Sequence, residues 1–208
     1  MDGVWEPQQQ RSIETRKRII ERAMTLLRER DFEDVSISEI CKHAGVSNGN
    51  FYRYFRDKED VLLHSYPEMM DYVLKEEIER GYASPLDAIW GLIGREVEKA
   101  YEMGPNVVGQ LFRLQLRRNI NYTFPKDEDR PYYKWNQIWV KRAQEAGMLH
   151  HSYDADDITH SLLRVVRGAA FDWAIQRGRF PLEEVIRKDI SALLFRFASP
   201  KDADRHTS

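Results

Sequence analysis

The sequence predicts an all-α protein, on three observations. Apolar residues recur at spacings of three and four along most of the 208-residue chain, which is the period of helices that bury one face. Glycine and proline interrupt this pattern, as they do where helices end, at positions 84–85, 104–105, 124–125, 147 and 178–181. No segment shows the apolar-polar alternation of a convincing strand. We therefore expect a series of helices joined by short breaks.

The spacing of these breaks predicts two domains. A first helix is expected from about Ser12 to Arg30, with an apolar side formed by Ile13, Ile20, Ala23, Met24 and Leu27. With two short helices it makes an N-terminal domain over residues 1–56. A long helix from about 57 to 80, kinked at Pro67, should link it to a C-terminal helical domain over 57–208. Further helices are expected at about 85–102, 106–119, 129–146, 154–177 and 181–198.

Two short helices separated by a glycine turn are predicted between residues 36 and 58. Ser36 and Glu39 have the spacing of a capping box, in which each side chain satisfies a backbone N–H at the helix start. Gly45 marks the end of this helix, and Ser47 can cap the next one. This pattern is typical of a helix-turn-helix, whose second helix enters a groove of DNA.

The second short helix divides into an inward side and a side that can face DNA. Phe51 and Phe55, four residues apart, should anchor it inward. Lys58 is unfavourable at the positive end of the following helix unless an anion is near, so it is expected to contact a phosphate. Short side chains at the helix start and polar ones on its flanks complete the expected DNA contacts: Asn48, Gly49, Asn50, Tyr52, Arg53 and Tyr54.

Two observations weaken a prediction of DNA binding that rests on this helix pair alone. Glycine-turn helix pairs also occur in all-helical proteins with other functions. The formal net charge is −2, whereas nucleic-acid-binding domains usually carry a positive surface. Basic residues crowd the start of the first helix, at Arg11, Arg16, Lys17, Arg18 and Arg22. These could form an ordinary solvated face, but their position beside the helix pair favours a DNA contact.

From Ala44 to Leu62 the chain, AGVSNGNFYRYFRDKEDVL, resembles the recognition-helix signature of the tetracycline-repressor (TetR) family of bacterial transcriptional regulators. The resemblance covers about the first 65 residues, and the positions in register are Gly45, Val46, Ser47, Gly49, Tyr52, Phe55, Lys58 and Glu59. It implies phosphate contacts from Ser36, Ser47, Tyr52, Tyr54 and Lys58, and groove contacts from Asn48, Gly49, Asn50 and Arg53. The family often has an aromatic residue in place of Arg53 and a larger or basic one in place of Asn48, so the base preference does not transfer.

Aromatic residues concentrate between about 90 and 140, where amide side chains lie among them. Tyrosine and tryptophan offer apolar area with a polar handle, which suits the wall of a ligand site. The predicted effector pocket comprises Trp90, Tyr101, Phe112, Gln115, Tyr133 and Trp139. Arg113 and Arg117 could meet an anionic group. An aromatic core is the alternative interpretation. The TetR resemblance implies a small-molecule effector in this region, coupled to the angle of the linking helix.

The last two predicted helices suggest a subunit interface. Gly168, Ala169 and Ala170 would allow another helix to approach closely, and the final helix has a broad apolar face for a chain terminus. Two such helices from each copy would form a four-helix interface about a twofold axis, the arrangement that the resemblance implies. A homodimer would meet a palindromic operator with two recognition helices. Alternatively, these helices only close the core of a monomer.

Other classes of function find little support. Cys41 is the only cysteine, so no intrachain disulfide can form, and its helical position favours a buried thiol. The cluster of histidines and aspartates between 150 and 160 lacks established metal-ligand spacing, so we expect neither a metal nor a cofactor. No catalytic motif, secretion signal or apolar run of about 18 residues occurs. We expect a cytoplasmic, dimeric repressor of transcription that binds no membrane; the alternative is a helical ligand-binding or enzymatic protein whose N-terminal helix pair is purely structural.

Overall fold

The computed structural model describes residues 7–65, 74, 81–117 and 131–199. Within these ranges the regular structure is helical, apart from an isolated β-bridge between Leu149 and Ala198. The all-α prediction is thereby confirmed. The helices are α1 (Pro7–Glu29), a 3₁₀ helix (Phe32–Asp34), α2 (Ile37–Ala44), α3 (Asn48–Phe51), α4 (described over 58–65), α5 (Pro85–Leu116), α6 (Pro131–Glu145), α7 (Ala155–Ile175) and α8 (Leu182–Phe197).

Two helices differ from their predicted form. Helix α1 begins about a turn earlier than expected. Its predicted apolar side is buried at Ala23, Met24 and Leu27, whereas Ile13 is 49% exposed, and the fully buried Ile19 was not predicted. The helices expected at 85–102 and 106–119 form one element with a break at Gly104, whose φ of 78° and ψ of 160° are not helical. The kink expected at Pro67 and the break at 124–125 lie outside the described residues.

The core has one large and one small cluster of buried apolar side chains. The large cluster runs from Ile19 and Phe51 in the N-terminal helices, through α5 and α7, to Phe197 at the end of α8. Helix α5 packs against α1, α6 and α7, so it joins the N-terminal helices to the rest of the chain. The small cluster comprises Leu74, Leu92, Tyr132, Tyr133 and Leu163, with Trp135 and Trp139 packed against it. The domain boundary after residue 56 stays a prediction.

None of the helices in the described part of the chain has the length and apolar character that crossing a bilayer requires. The same ranges contain no group of three or more histidine, cysteine or acidic side chains placed to hold a metal ion.

Candidate nucleic-acid interface

The cap and stop residues of α2 adopt the conformations that the sequence predicts. Ser36 is extended, and its hydroxyl accepts a hydrogen bond from the backbone N–H of Glu39 at 3.2 Å. Gly45 is left-handed, with φ of 64°, which favours glycine because it has no Cβ. The Glu39 carboxylate forms an ion pair with Arg30, which ties α2 to the end of α1.

Helix α3 is capped at its start and anchored by two buried rings. The Ser47 hydroxyl accepts a hydrogen bond from the backbone N–H of Asn50 at 3.1 Å. Phe51 and Phe55 are 0% and 1% exposed, and their ring centroids lie 5.7 Å apart. The guanidinium of Arg16 on α1 lies 5.2 Å from the Phe55 centroid. The inward orientation predicted for both phenylalanines is confirmed, and it fixes which side of α3 faces solvent.

The residues predicted to contact DNA are mostly accessible. Tyr52 is 57% exposed, although a tyrosine ring usually buries its apolar part. Asn50 and Tyr54 are half-buried, whereas the other exposed members are Ser36, Ser47, Asn48, Gly49 and Arg53. An accessible row of short polar side chains and two tyrosines suits a surface that meets phosphates and base edges.

The basic start of α1 lies beside the helix-turn-helix. The Arg18 side chain donates from Nε to the Ala44 carbonyl at 2.8 Å, at the end of α2. Arg11 and Arg22 are seven residues before and four residues after Arg18, so they share its side of the helix, and both are exposed. The spatial relation expected between this basic region and the turn is therefore present.

Lys58 makes contacts that the sequence did not predict. Its ammonium group donates to the carbonyls of Phe32 and of Val35, the latter at 2.9 Å, with a longer contact to that of Glu33 at 3.4 Å. It also lies 4.4 Å from the centroid of the Phe32 ring. Lys58 thus satisfies carbonyls of the 3₁₀ turn that joins α1 to α2. A phosphate contact requires the ammonium to leave at least one of these oxygens.

The turn between α3 and α4 is held by a buried carboxylate. Asp60 is 4% exposed and accepts hydrogen bonds from the backbone N–H and the guanidinium of Arg56 at 3.0 and 2.7 Å. Burial alone would raise the pKa of Asp60, but the hydrogen bonds and charge of Arg56, with a smaller effect of His64, outweigh it and lower the pKa. The same pairing raises the pKa of Arg56.

Two arginines at the end of α5 contact the N-terminal helices. Arg113 forms an ion pair with Glu33 of the 3₁₀ helix at 2.9 Å, and Arg117 pairs with Glu59 of α4. Sequence reasoning assigned both arginines to an anionic ligand. Their partners lie 80 and 58 residues away in the chain, so no local pattern could reveal them.

The residues of the predicted effector pocket occupy several places. Tyr133, 2% exposed, belongs to the small cluster, and Trp139 packs against both the small and the large cluster. Trp90 lies under the guanidinium of Arg187, and Phe112 packs edge-on against Phe171 of α7. Tyr101 packs against Trp173 and is 45% exposed, and Gln115 is exposed. The described residues therefore bring two members of the set together.

Helices α7 and α8 each expose large apolar side chains. Phe171 and Ile175 of α7 are 42% and 62% exposed, and Phe195 of α8 is 61% exposed. A Cβ added to Gly168 would meet nothing within 4 Å, so this helix surface is open to close approach. The feature agrees with the predicted subunit interface.

An end-capped helix pair with a left-handed glycine turn is the geometry of a helix-turn-helix. Residues 19–64 match the family model described as bacterial regulatory proteins, tetR family. The chain is a member of the TetR family of regulators. This confirms the resemblance inferred from the recognition-helix signature.

Three relatives illustrate the similarity. The fatty acid metabolism regulator protein of Bacillus subtilis is 38% identical over 52 residues, which cover 25% of this chain and 27% of that protein. The repressor KstR2 of Mycolicibacterium smegmatis is 20% identical over 187 residues, covering 86% and 88%. The crystal structure of Thermus thermophilus FadR, a TetR-family repressor in complex with lauroyl-CoA, is 26% identical and covers 86% of this chain and 93% of its own, with a TM-score of 0.66. The chain thus spans about a quarter of the B. subtilis protein but most of the other two.

Proposed function

We propose that this protein is a transcriptional repressor that binds a palindromic operator as a homodimer and is released by a small-molecule effector. The observation that carries the proposal is the geometry of α2 and α3. The buried Phe51 of α3 and the buried Phe55 of the turn that follows fix the inward side of this segment, whereas the capped start of α3 and Tyr52, just after its end, remain accessible. Such a helix can enter a major groove while its flanks contact phosphates.

The proposed contacts fall into two groups. Ser36, Ser47, Tyr52 and Tyr54 would contact phosphate oxygens through their hydroxyl groups. Base edges in the major groove would be contacted by Asn48, Gly49 and Asn50 at the start of α3 and by the guanidinium of Arg53. Lys58 joins the phosphate group only by exchanging a carbonyl oxygen for a phosphate oxygen.

Dimerisation would use the exposed face of α7 and α8. Phe171, Ile175 and Phe195 lie there, and burial of such side chains against a second copy removes apolar area from water. Gly168 would allow the two copies of α7 to approach closely. Two recognition helices in one rigid dimer would then meet two half-sites of an operator.

Coupling to an effector would pass through α5 as well as through the linking helix. The break at Gly104 separates the first part of α5 from the part whose Arg113 and Arg117 hold Glu33 and Glu59. A ligand that prefers a different angle at this break would move the 3₁₀ helix and α4 with it. The loss of free energy of operator binding could not exceed the difference in the ligand's binding free energy between the two conformations.

DNA binding by the purified protein tests the proposal. We would measure affinity for the DNA flanking its own gene by mobility shift, at several salt concentrations, for wild type and for Tyr52→Ala and Arg53→Ala. Both variants should bind more weakly, and log affinity should fall steeply with log salt because phosphate contacts release counterions. Arg179→Ala, in an exposed loop after α7, is the control. Equal binding by all four proteins would refute the contact assignment.

The effector is sought separately by a thermal-shift screen followed by release of bound DNA. Lauroyl-CoA is a reasonable member of the screen because the T. thermophilus relative was crystallised with it. A protein that binds small molecules but no DNA would instead support the alternative, a helical ligand-binding or enzymatic protein with a structural N-terminal helix pair.

A further inference from the structure

The small cluster has a polar side chain among its aromatic rings. Asn136 is on α6, four residues after Tyr132 and three before Trp139, so these side chains lie on one side of the helix. Asn136 is 0% exposed. Trp135 and Trp139 are half-buried, so the cluster reaches the surface on their side.

The hydrogen bonds of Asn136 fix the orientation of its amide. Its Nδ2 donates to the Tyr132 carbonyl at 2.9 Å. A flipped amide would place two acceptor oxygens against each other, so the observed assignment is the favourable one. Among the described residues, the buried Oδ1 has no hydrogen-bond partner.

Neighbouring polar groups do not supply the missing donor. The Tyr132 hydroxyl donates to the Leu92 carbonyl at 3.2 Å, and that of Tyr133 donates to Asp156 at 3.2 Å. By contrast, the other buried amide of α6, Gln144, donates to the carbonyls of His150 and Tyr153 at 3.1 and 2.8 Å. Buried polar atoms normally have a hydrogen-bond partner, since a buried polar atom without a hydrogen bond lowers the stability of the fold.

We propose that Asn136 Oδ1 accepts a hydrogen bond from the effector, and that the effector is an uncharged, mainly apolar molecule with a hydroxyl group. The inference rests on the proposed function, because it assigns the ligand class of the effector site. A buried, unpaired acceptor favours a donor and disfavours a carboxylate or phosphate, which offer only acceptors at neutral pH. The small cluster supplies apolar and aromatic side chains, Leu92, Tyr132, Tyr133 and Leu163, and such side chains suit contact with a ring or a branched hydrocarbon.

A pair of probes that differ only in the donor tests this inference. 1-Naphthol can donate a hydrogen bond, whereas 1-methoxynaphthalene has the same rings but no donor. By isothermal titration calorimetry of the full-length protein, 1-naphthol should bind about tenfold more tightly than the ether, as expected for one buried hydrogen bond. In Asn136→Leu this preference should disappear, through weaker binding of 1-naphthol and unchanged binding of the ether.

The control variant is Lys134→Ala, at an exposed position on α6. It should keep the tenfold preference. Thermal unfolding of Asn136→Leu checks that the protein is folded, and its Tm should equal or exceed that of wild type because an unpaired buried acceptor is removed. If Asn136→Leu does not fold, Asn136→Ala provides the second test, since it also lacks the acceptor and should lose the preference for 1-naphthol.

Three results would overturn the inference: no binding of either probe to wild type, equal binding of both, or a preference that survives in Asn136→Leu. Operator binding is measured on the same proteins without any probe. Asn136-dependent binding of 1-naphthol by a protein that binds no DNA would refute the proposed function while leaving this site intact.

Discussion

Replacement of Lys58 by methionine separates two roles for this side chain. In the structure its ammonium binds the carbonyls of Phe32 and Val35 and lies over the Phe32 ring. Methionine keeps most of the apolar stem but loses the charge and the donors. If the role is structural, the variant should lose stability; if the role is a phosphate contact, it should lose salt-dependent DNA affinity.

The expected loss follows from these contacts. A hydrogen bond from a charged group contributes about 1.5–3 kcal/mol when buried. Lys58 is half-buried and water can reach the freed carbonyls, so we take about 1 kcal/mol for each of the two bonds and about 0.5 kcal/mol for the ring contact. The free energy of unfolding should fall by roughly 2–3 kcal/mol, which for a chain of this size lowers Tm by roughly 5–10 °C.

Urea denaturation and mobility-shift titrations measure the two effects. We expect Lys58→Met to lose stability while keeping the wild-type salt dependence of operator binding, measured at a temperature where it is folded. Lys141→Met, at an exposed position on α6, should match wild type in both. A stable Lys58→Met protein whose salt slope falls by about one for each protomer would refute the structural role and support the phosphate contact.

Three further changes have defined outcomes. Phe55→Ala should lower the free energy of unfolding by about 3–5 kcal/mol in urea denaturation, because it leaves a cavity between α1 and α3. The lowered pKa of Asp60 stabilises the fold above about pH 4, where the unfolded chain also ionises, and this stabilisation is lost as pH falls further. Asp60→Asn should therefore have a lower free energy of unfolding than wild type at pH 7, and this difference should become smaller as the pH falls below about 4. If the proposed dimer forms, Phe195→Glu should convert it to a monomer in light scattering, because the change places a charge in the proposed apolar interface.

Each of these has a control and a contradicting result. Tyr52→Ala removes an exposed ring and should change stability by less than about 0.5 kcal/mol, so a loss equal to that of Phe55→Ala would contradict the assignment of inward and outward sides. If the difference in free energy of unfolding between wild type and Asp60→Asn stayed constant from pH 7 to pH 3, the ion pair of Asp60 could not be its cause. Ile138→Glu, on α6, should leave the dimer intact. A wild-type protein that is monomeric at micromolar concentration would refute the interface.

The sequence predicted the helix-turn-helix well because its determinants are local. Ser36, Gly45 and Ser47 act on backbone groups within a few residues of themselves, and the spacing of Phe51 and Phe55 sets one side of a short helix. The same holds for the breaks at 104–105 and 178–181 and for the bounds of α6, α7 and α8. Such features depend on helix geometry, which needs no knowledge of neighbours.

Predictions that depended on distant partners were less complete. Lys58 was predicted to contact a phosphate. Its partners in the structure are carbonyls of the 3₁₀ turn more than 20 residues earlier, so the local sequence could not indicate them. Tyr101 and Phe112 have the helical spacing of wall residues, but the packing of α5 against α7 turns them toward Trp173 and Phe171. In α1 the predicted Ile13 is exposed, and Ile19, which was not predicted, is fully buried beside the predicted Ala23 and Leu27.

The sequence by itself determined that the chain is helical, where most of its helices begin and end, and which short segment carries the recognition helix. Hydrogen bonds at helix ends and the apolar period encode these properties locally. Only the tertiary structure decided that Arg113 and Arg117 reach the N-terminal helices and that Asn136 is buried with an unpaired oxygen. Whether a polar side chain finds a partner depends on which helices pack beside it, and that packing is a property of the whole fold.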